Sequence, residues 1–226
     1  HQTSGNLAST NLNWLTGIAP GASDDVIFDS TSSANCTWDL AVALNSCSMN
    51  IGYSGTVTQA ASFSANSMTF SAGIFTPNFV YPITIAVSFI VNPGGSITTA
   101  GLLYLIMASD GGTIISDSST RNLDFERLTI NGNTTLSGSR YVSLSGGNSL
   151  RVAIGKTFTL DRDFAVNNAG IDGITNEGTI NGAAKLIIGL GSIGSASPVM
   201  FGNIDCPMEI WGRNDQLFDS TVNLRS

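Results

Sequence analysis

Gly112-Thr113-Ile114-Ile115, Thr134-Thr135-Leu136-Ser137, Lys156-Thr157-Phe158-Thr159 and Gly178-Thr179-Ile180-Asn181 follow one another at a constant step of 22 residues. In each segment a threonine precedes a large apolar residue. In an extended chain, where successive side chains point to opposite faces, the two fall on opposite sides. The same step joins Val142, Phe164, Leu186 and Met208, and also Leu144, Val166, Ile188 and Ile210, while Ile130, Val152 and Ile174 form a shorter series. In the first half a 21-residue step joins Cys47, Met68 and Phe89, and likewise Met49, Phe70 and Val91. Self-similarity at a fixed period is the signature of a repeat architecture.

Two or three short strands per period of 21–22 residues is what a parallel β-solenoid requires, because each coil must bring the chain back one strand spacing further along the axis. Equivalent side chains then stack at about 4.8 Å, so inward positions become apolar ladders and outward positions polar ones. Thr113, Thr135, Thr157 and Thr179 form such an outward rank beside the inward Ile114 series. About ten coils are expected, giving a rod on the order of 50 Å long at that spacing. An antiparallel β-sandwich also carries many short strands with regular turns, but it needs no fixed period.

Working outward from the ladders, Ser67-Met68-Thr69-Phe70, Arg151-Val152-Ala153-Ile154 and Lys185-Leu186-Ile187-Ile188 alternate as strands between Gly, Asn, Asp and Ser turns. No stretch holds a helical apolar pattern for three turns, and the class is all-β. Residues 1–40 lie outside the clean register and read as an N-terminal cap or assembly segment, leaving 41–226 as the solenoid. Terminal repeats must differ from inner ones, since an open end exposes unpaired backbone.

Of the 226 residues 42% are apolar and only 11% charged, against roughly a quarter charged in an average domain. The surface polarity therefore comes from Ser, Thr, Asn and Gly. Nine Lys and Arg against 16 Asp and Glu, with no basic cluster, argue against nucleic acid as a partner. The longest apolar run, Gly101 to Ala108, falls far short of the roughly 20 residues of a membrane-spanning helix. A chain that opens at His1 without Met, and with no signal peptide in view, reads as a processed or trimmed product. Few lysines and two sequons, Asn35-Cys36-Thr37 and Asn133-Thr134-Thr135, point to an exported, extracellular or cell-surface protein with Asn35 and Asn133 as glycosylation candidates.

Asn13-Trp14, Gly17, Ala19-Pro20 and Asp24-Asp25-Val26-Ile27-Phe28, followed by Gly52-Tyr53-Ser54-Gly55-Thr56-Val57-Thr58, resemble the opening of repetitive bacterial and archaeal cell-surface proteins. Ile174-Thr175-Asn176-Glu177-Gly178-Thr179-Ile180-Asn181-Gly182 resembles the coils of autotransporter passengers and haemagglutinin-like adhesins. The resemblance covers most of the chain loosely and describes coil geometry. It implies a secreted right-handed β-solenoid used in adhesion, surface layers or filaments, and it carries over no catalytic residue.

His1 is the sole histidine, which removes Ser-His-Asp and Cys-His catalysis and any multi-histidine metal site. No catalytic residue and no cofactor is assigned. Cys36 and Cys47 are close enough in sequence to form a disulfide, yet Cys47 also falls in an apolar ladder, and Cys206 reads as buried. The enzyme alternative is a polysaccharide lyase or glycoside hydrolase, built on Asp161, Arg162 and Asp163 with Asp172 and Glu177 nearby. Asp161 and Asp163 are also weak calcium candidates. Trp14, Trp38, Trp211, Tyr53, Tyr81, Tyr104 and Tyr141 could stack sugars in a glycan-binding adhesin module, or fill cores and caps. Ice binding needs paired Thr ranks, and the second rank here reads Ile115, Ser137, Thr159 and Asn181. The expectation is a non-enzymatic structural protein whose partners are copies of itself, other surface components or glycans, and which assembles through its ends by β-strand addition.

Overall fold

The computed structural model describes residues 6–98, 103–119, 122–144, 149–167, 174–189, 199–200 and 202–211. They form an all-β parallel solenoid with three faces to a coil: in the second half one short strand lies on each face, while longer strands such as Ile83–Val91 and Leu123–Ile130 run over two. The first half contains β1 (Asp25–Phe28), β2 (Cys36–Trp38), β3 (Ala43–Met49), β4 (Thr56–Gln59), β5 (Phe63–Phe70), β6 (Ile74–Thr76), β7 (Ile83–Val91), β8 (Ser96–Ile97), β9 (Leu103–Met107) and β10 (Gly112–Ser116). The second half contains β11 (Leu123–Ile130), β12 (Thr134–Ser137), β13 (Val142–Leu144), β14 (Leu150–Val152), β15 (Thr157–Leu160), β16 (Phe164–Asn167), β17 (Ile174–Asn176), β18 (Thr179–Asn181), β19 (Leu186–Gly189), β20 (Val199–Met200), β21 (Asn203–Asp205) and β22 (Met208–Trp211).

Every ladder among them is parallel, which settles the architecture in favour of the solenoid over the sandwich. The longest stack runs β1, β3, β5, β7, β10, β12, β15, β18, β21, nine strands and a rise of roughly 40 Å at the parallel spacing. This is somewhat shorter than ten coils. The stack begins at Asp25, inside residues 1–40, for Val26 pairs with Cys47 and Phe28 with Met49. The two 21-residue series therefore extend one coil further back than Cys47 and Met49.

Inward positions are apolar because each must pack on the residue above and below it. Cys47, Met68 and Phe89 stack in register, as do Met49, Phe70 and Val91, and all are buried. On another face Val142, Phe164, Leu186 and Met208 keep the 22-residue step throughout. On the longest stack the register departs from that step. Leu136 pairs with Leu160 and Thr134 with Phe158, a step of 24, before Phe158 meets Ile180 at 22.

The cause lies in two corners. From Val152 to Phe158 the chain takes six residues, where the coil before takes four from Ile130 to Thr134; from Leu160 to Phe164 it takes four, where the coil before takes six from Leu136 to Val142. The longer corner, Ala153 to Lys156, is closed by a bond from the Lys156 N–H to the Ala153 carbonyl, with Gly155 at φ +69°. The two changes cancel, so the sequence period survives while one strand slides by two residues. A slide of two keeps every side chain on its own face. The outward rank consequently reads Thr113, Thr135, Thr159, Asn181, with Thr157 beside Thr179, instead of four threonines in line.

A second slide pairs Leu150 with Ile174 and places Asn176 under Val152. Asn176 is fully buried and satisfied at both ends of its amide: Nδ2 donates to the Asn203 carbonyl at 3.1 Å, and Oδ1 accepts the Gly178 N–H at 3.2 Å. At the corners after Ser137 and Asn181, Gly138 and Gly182 adopt φ +112° and +125°, and a Cβ at either would strike a backbone carbonyl oxygen of the coil beneath. Side-chain carbonyls tie successive corners together. Asp110 Oδ1 accepts the Asn133 N–H at 2.7 Å, and Asn133 Oδ1 accepts the Thr157 N–H at 2.9 Å.

Candidate functional site

An inner coil has backbone partners on both sides; the first coil has them on one. Its neighbouring segments close two of the three faces. The Ala8 N–H donates to the Thr37 carbonyl at 2.9 Å and the Thr37 N–H to the Asn6 carbonyl at 2.6 Å, covering β2, while the Ser23 N–H donates to the Ala43 carbonyl at 2.8 Å above the start of β3. On the third face β1 pairs only with β3 among the described residues.

A loop through the 3-10 turn Asn11–Asn13 rises over this end. Trp14 pins it: the indole Nε1 donates to the Ala8 carbonyl at 2.7 Å, and the ring lies 5.9 Å from Phe28 and 6.5 Å, edge-on, from Trp38. Trp38 in turn packs on Phe63 at 4.4 Å and Phe28 on Tyr53 at 5.3 Å, so Trp14 completes an aromatic column that starts inside the solenoid. Between loop and strand lies a groove of about 720 Å³, lined by Trp14, Leu15, Ile18, Val26, Ile27 and Phe28 among others. Leu15 is 98% exposed, Ile18 69% and Ile27 55%. Ile27 is an outward residue of β1, in a rank that continues through Ser48, Thr69, Ile90, Ile115 and Ser137 of the inner strands.

Carboxylates rim the groove. Asp25 accepts from the Ser46 hydroxyl at 2.6 Å and the Asn45 amide at 2.7 Å, and these bonds, Ser46 first, hold its carboxyl below the ordinary value of 3.8. Asp29 is likewise lowered by the Thr31 hydroxyl and then by the Thr31 N–H. Burial, and then the charge of Asp39, pushes the Cys36 thiol up to about 12, so it is a poor nucleophile.

The other sequence candidates are dispersed over the coils. Cys36, Cys47 and Cys206 are free thiols, and of the two readings of Cys47 the structure shows the buried ladder residue rather than the candidate bridge to Cys36. Cys47 points into the ladder between Val26 and Met68, while Cys36 lies on another face against Val57. Asp163 Oδ1 accepts the Lys185 N–H at 2.9 Å and Asp161 is exposed; among the described residues no three His, Cys, Asp or Glu gather as a metal cluster. Arg162, the basic member of the hydrolase alternative, is spent on the backbone: its Nε donates to the Arg140 carbonyl at 3.2 Å and its Nη2 to the Ser139 carbonyl. Arg140 does the same one coil earlier, to the carbonyls of Ser118 and Ser119, both at 2.7 Å. Asp172 lies outside the described residues, and Glu177 forms an exposed ion pair with Arg151 at 3.4 Å.

Asn35 and Asn133 are exposed, and each side-chain carbonyl accepts the N–H that opens a strand of the next coil, Thr56 and Thr157, both at 2.9 Å. Of the aromatic candidates, Trp38 and Tyr53 are buried in the core and are not sugar platforms. No helix among the described residues is long and apolar enough to cross a membrane. No protein-family model, no curated protein and no solved structure matches this chain.

The sequence reading missed the first strand of the stack. Its signal was present, since Asp25-Val26-Ile27-Phe28 alternates in the same phase as Ser46-Cys47-Ser48-Met49 at the same 21-residue step.

Proposed function

We propose that this chain is an extracellular structural protein, a building block of a cell-surface filament, surface layer or adhesin that joins its copies end to end by β-strand addition. The observation that carries this reading is the edge of β1 that has no partner strand among the described residues, beside a groove from which Leu15, Ile18 and Ile27 project into solvent. An unpaired edge with apolar side chains beside it is a template for another strand, and Asp24, Asp25 and Asp29 charge its rim. The body of the molecule suits a spacer. Between Asp25 and Asp205 its longest stack presents Ser46, Ser67, Ser88, Thr113, Thr135, Thr159 and Asn181 in line, an uncharged polar rank.

Negative-stain electron microscopy with size-exclusion chromatography, over a range of concentrations, tests the proposal. Fibres or sheets growing with concentration support it; dispersed monomers at every concentration contradict it and turn the search to glycan and polysaccharide screens.

A further inference from the structure

Joining by ends gives fibres, and a surface layer needs a further contact off the fibre axis. The corner at 153–156 is longer than the corners at 131–133 and 177–178 in the adjoining coils, so its tip projects beyond them. It is closed by the Lys156 N–H bond to the Ala153 carbonyl at 3.0 Å, has open space around Gly155, and carries Ile154 at 80% exposure. Arg151 and Lys156 flank this isoleucine. Each is bound to one exposed carboxylate, Arg151 to Glu177 at 3.4 Å and Lys156 to Asp110 at 3.0 Å, and such pairs contribute little and leave most of the guanidinium fork unused.

The groove at the first coil is the complement of this tip. Trp14, Leu15, Ile18 and Ile27 make it apolar, Asp24, Asp25 and Asp29 line it, and no basic residue does so among the described residues. Hydrogen bonds hold Asp25 and Asp29 in place through Oδ1, leaving Oδ2 of each to receive a cation. The volume, about 720 Å³, lies in the range of sites that enclose a compact group. At a net charge of −7 copies repel over most of their surface, and contact is favoured where some of the nine Lys and Arg meet carboxylates. Two other exposed apolar tips, Ile51 and the pair Phe79-Val80, stand in corners without a charged residue and lack that match.

We propose that the corner at 153–156 of one copy seats in the groove of a second copy, with Ile154 against Trp14, Leu15 and Ile18, and with Arg151 and Lys156 facing Asp24, Asp25 and Asp29. The two surfaces are different parts of the chain, so each copy in a pair keeps one of them free and growth continues. The groove lies at the end of the solenoid and the corner on its flank, so the contact sets one copy across another. It goes beyond end-to-end joining, and since both contacts use β1 a groove takes one of them at a time.

Two variants with one added cysteine each, Leu15→Cys and Ile154→Cys, test the contact when mixed with glutathione disulfide, because a 15–154 disulfide in the mixture joins different copies. The expected result is a covalent dimer whose 15–154 linkage is identified by mass spectrometry. The linkage is expected to be lost when the Ile154→Cys copy also carries Arg151→Glu and Lys156→Glu, and to return when the Leu15→Cys copy then carries Asp25→Lys and Asp29→Lys. In electron micrographs Ile154→Asp, at an exposed position and so at the melting temperature of the wild type, is expected to turn branched fibres or sheets into single straight fibres. Straight fibres of the wild type without a 15–154 linkage overturn the flank contact and leave end-to-end joining standing. A 15–154 linkage in a chain that forms no straight fibre supports the flank contact and overturns end-to-end joining. A wild-type chain dispersed at every concentration, with no linkage, overturns both.

Discussion

Strands β1 and β12 belong to the same stack and alternate in the same way, yet they are different objects. The inner strand β12 has β10 on one side and β15 on the other, buries Leu136 between Ile114 and Leu160, and shows solvent only Thr135 and Ser137. The end strand β1 has β3 on one side, places Val26 and Phe28 in the core with Trp14 above, and shows solvent Asp25 and a half-exposed Ile27. The local sequence makes both into strands; neighbours make one into a wall and leave the other as an edge. In a solenoid, stability belongs to the interior rungs and association to the terminal ones.

The comparison breaks most severely inside the stack. Phe158→Ala removes a fully buried ring held between Thr134 and Ile180 and is expected to cost about 3–5 kcal/mol, read by denaturant unfolding. Asn176→Ala leaves the buried Gly178 N–H without its acceptor and takes one of the donors from the Asn203 carbonyl, and is expected to cost about 1–3 kcal/mol in the same assay. Arg162→Ala releases two corner carbonyls nearer solvent, for about 1 kcal/mol, and Arg162→Lys does not restore it because a single ammonium lacks the guanidinium fork.

At the end strand the order reverses. Ile27→Lys is expected to change stability by less than about 0.5 kcal/mol, and yet to abolish polymers in sedimentation. The smallest effect is the pH dependence carried by Asp25. Its carboxyl is lowered from 3.8, so the stabilisation from Ser46 and Asn45 is present above that value and is lost as pH falls through the lower folded value. Melting temperatures of the wild type and Asp25→Ala are expected to differ near neutrality and to converge in acid.

Much of this architecture was legible because stacking imposes the same demand on every coil. Cys47, Met68 and Phe89, or Val142, Phe164 and Leu186, are apolar at a fixed step since each packs on the next. The two-residue slide at Phe158 was hidden because the corners at Ala153–Lys156 and Asp161–Asp163 compensate, and a slide of two leaves the apolar and polar faces unchanged. The role of Arg162 was hidden for a different reason: its partners are the carbonyls of Ser139 and Arg140, and backbone acceptors leave no mark in a side-chain pattern. The candidate site was the least legible part. Nothing in Asp25-Val26-Ile27-Phe28 distinguishes an edge from an inner rung, since Ile90 and Ile115 of inner strands share the outward rank of Ile27, and the loop that makes the groove is held by ring packing and by scattered bonds such as Trp14 Nε1 to the Ala8 carbonyl and Asn13 Nδ2 to the Leu7 carbonyl.

The central claim, that β1 is the surface through which copies join, is tested most directly by amide hydrogen exchange at Asp25–Phe28 in dispersed and assembled protein. The account predicts that β1 amides on the edge away from β3 exchange readily in the dispersed chain and become strongly protected on assembly, while amides of β12 are protected in both. Equal exchange of β1 in the two states contradicts it.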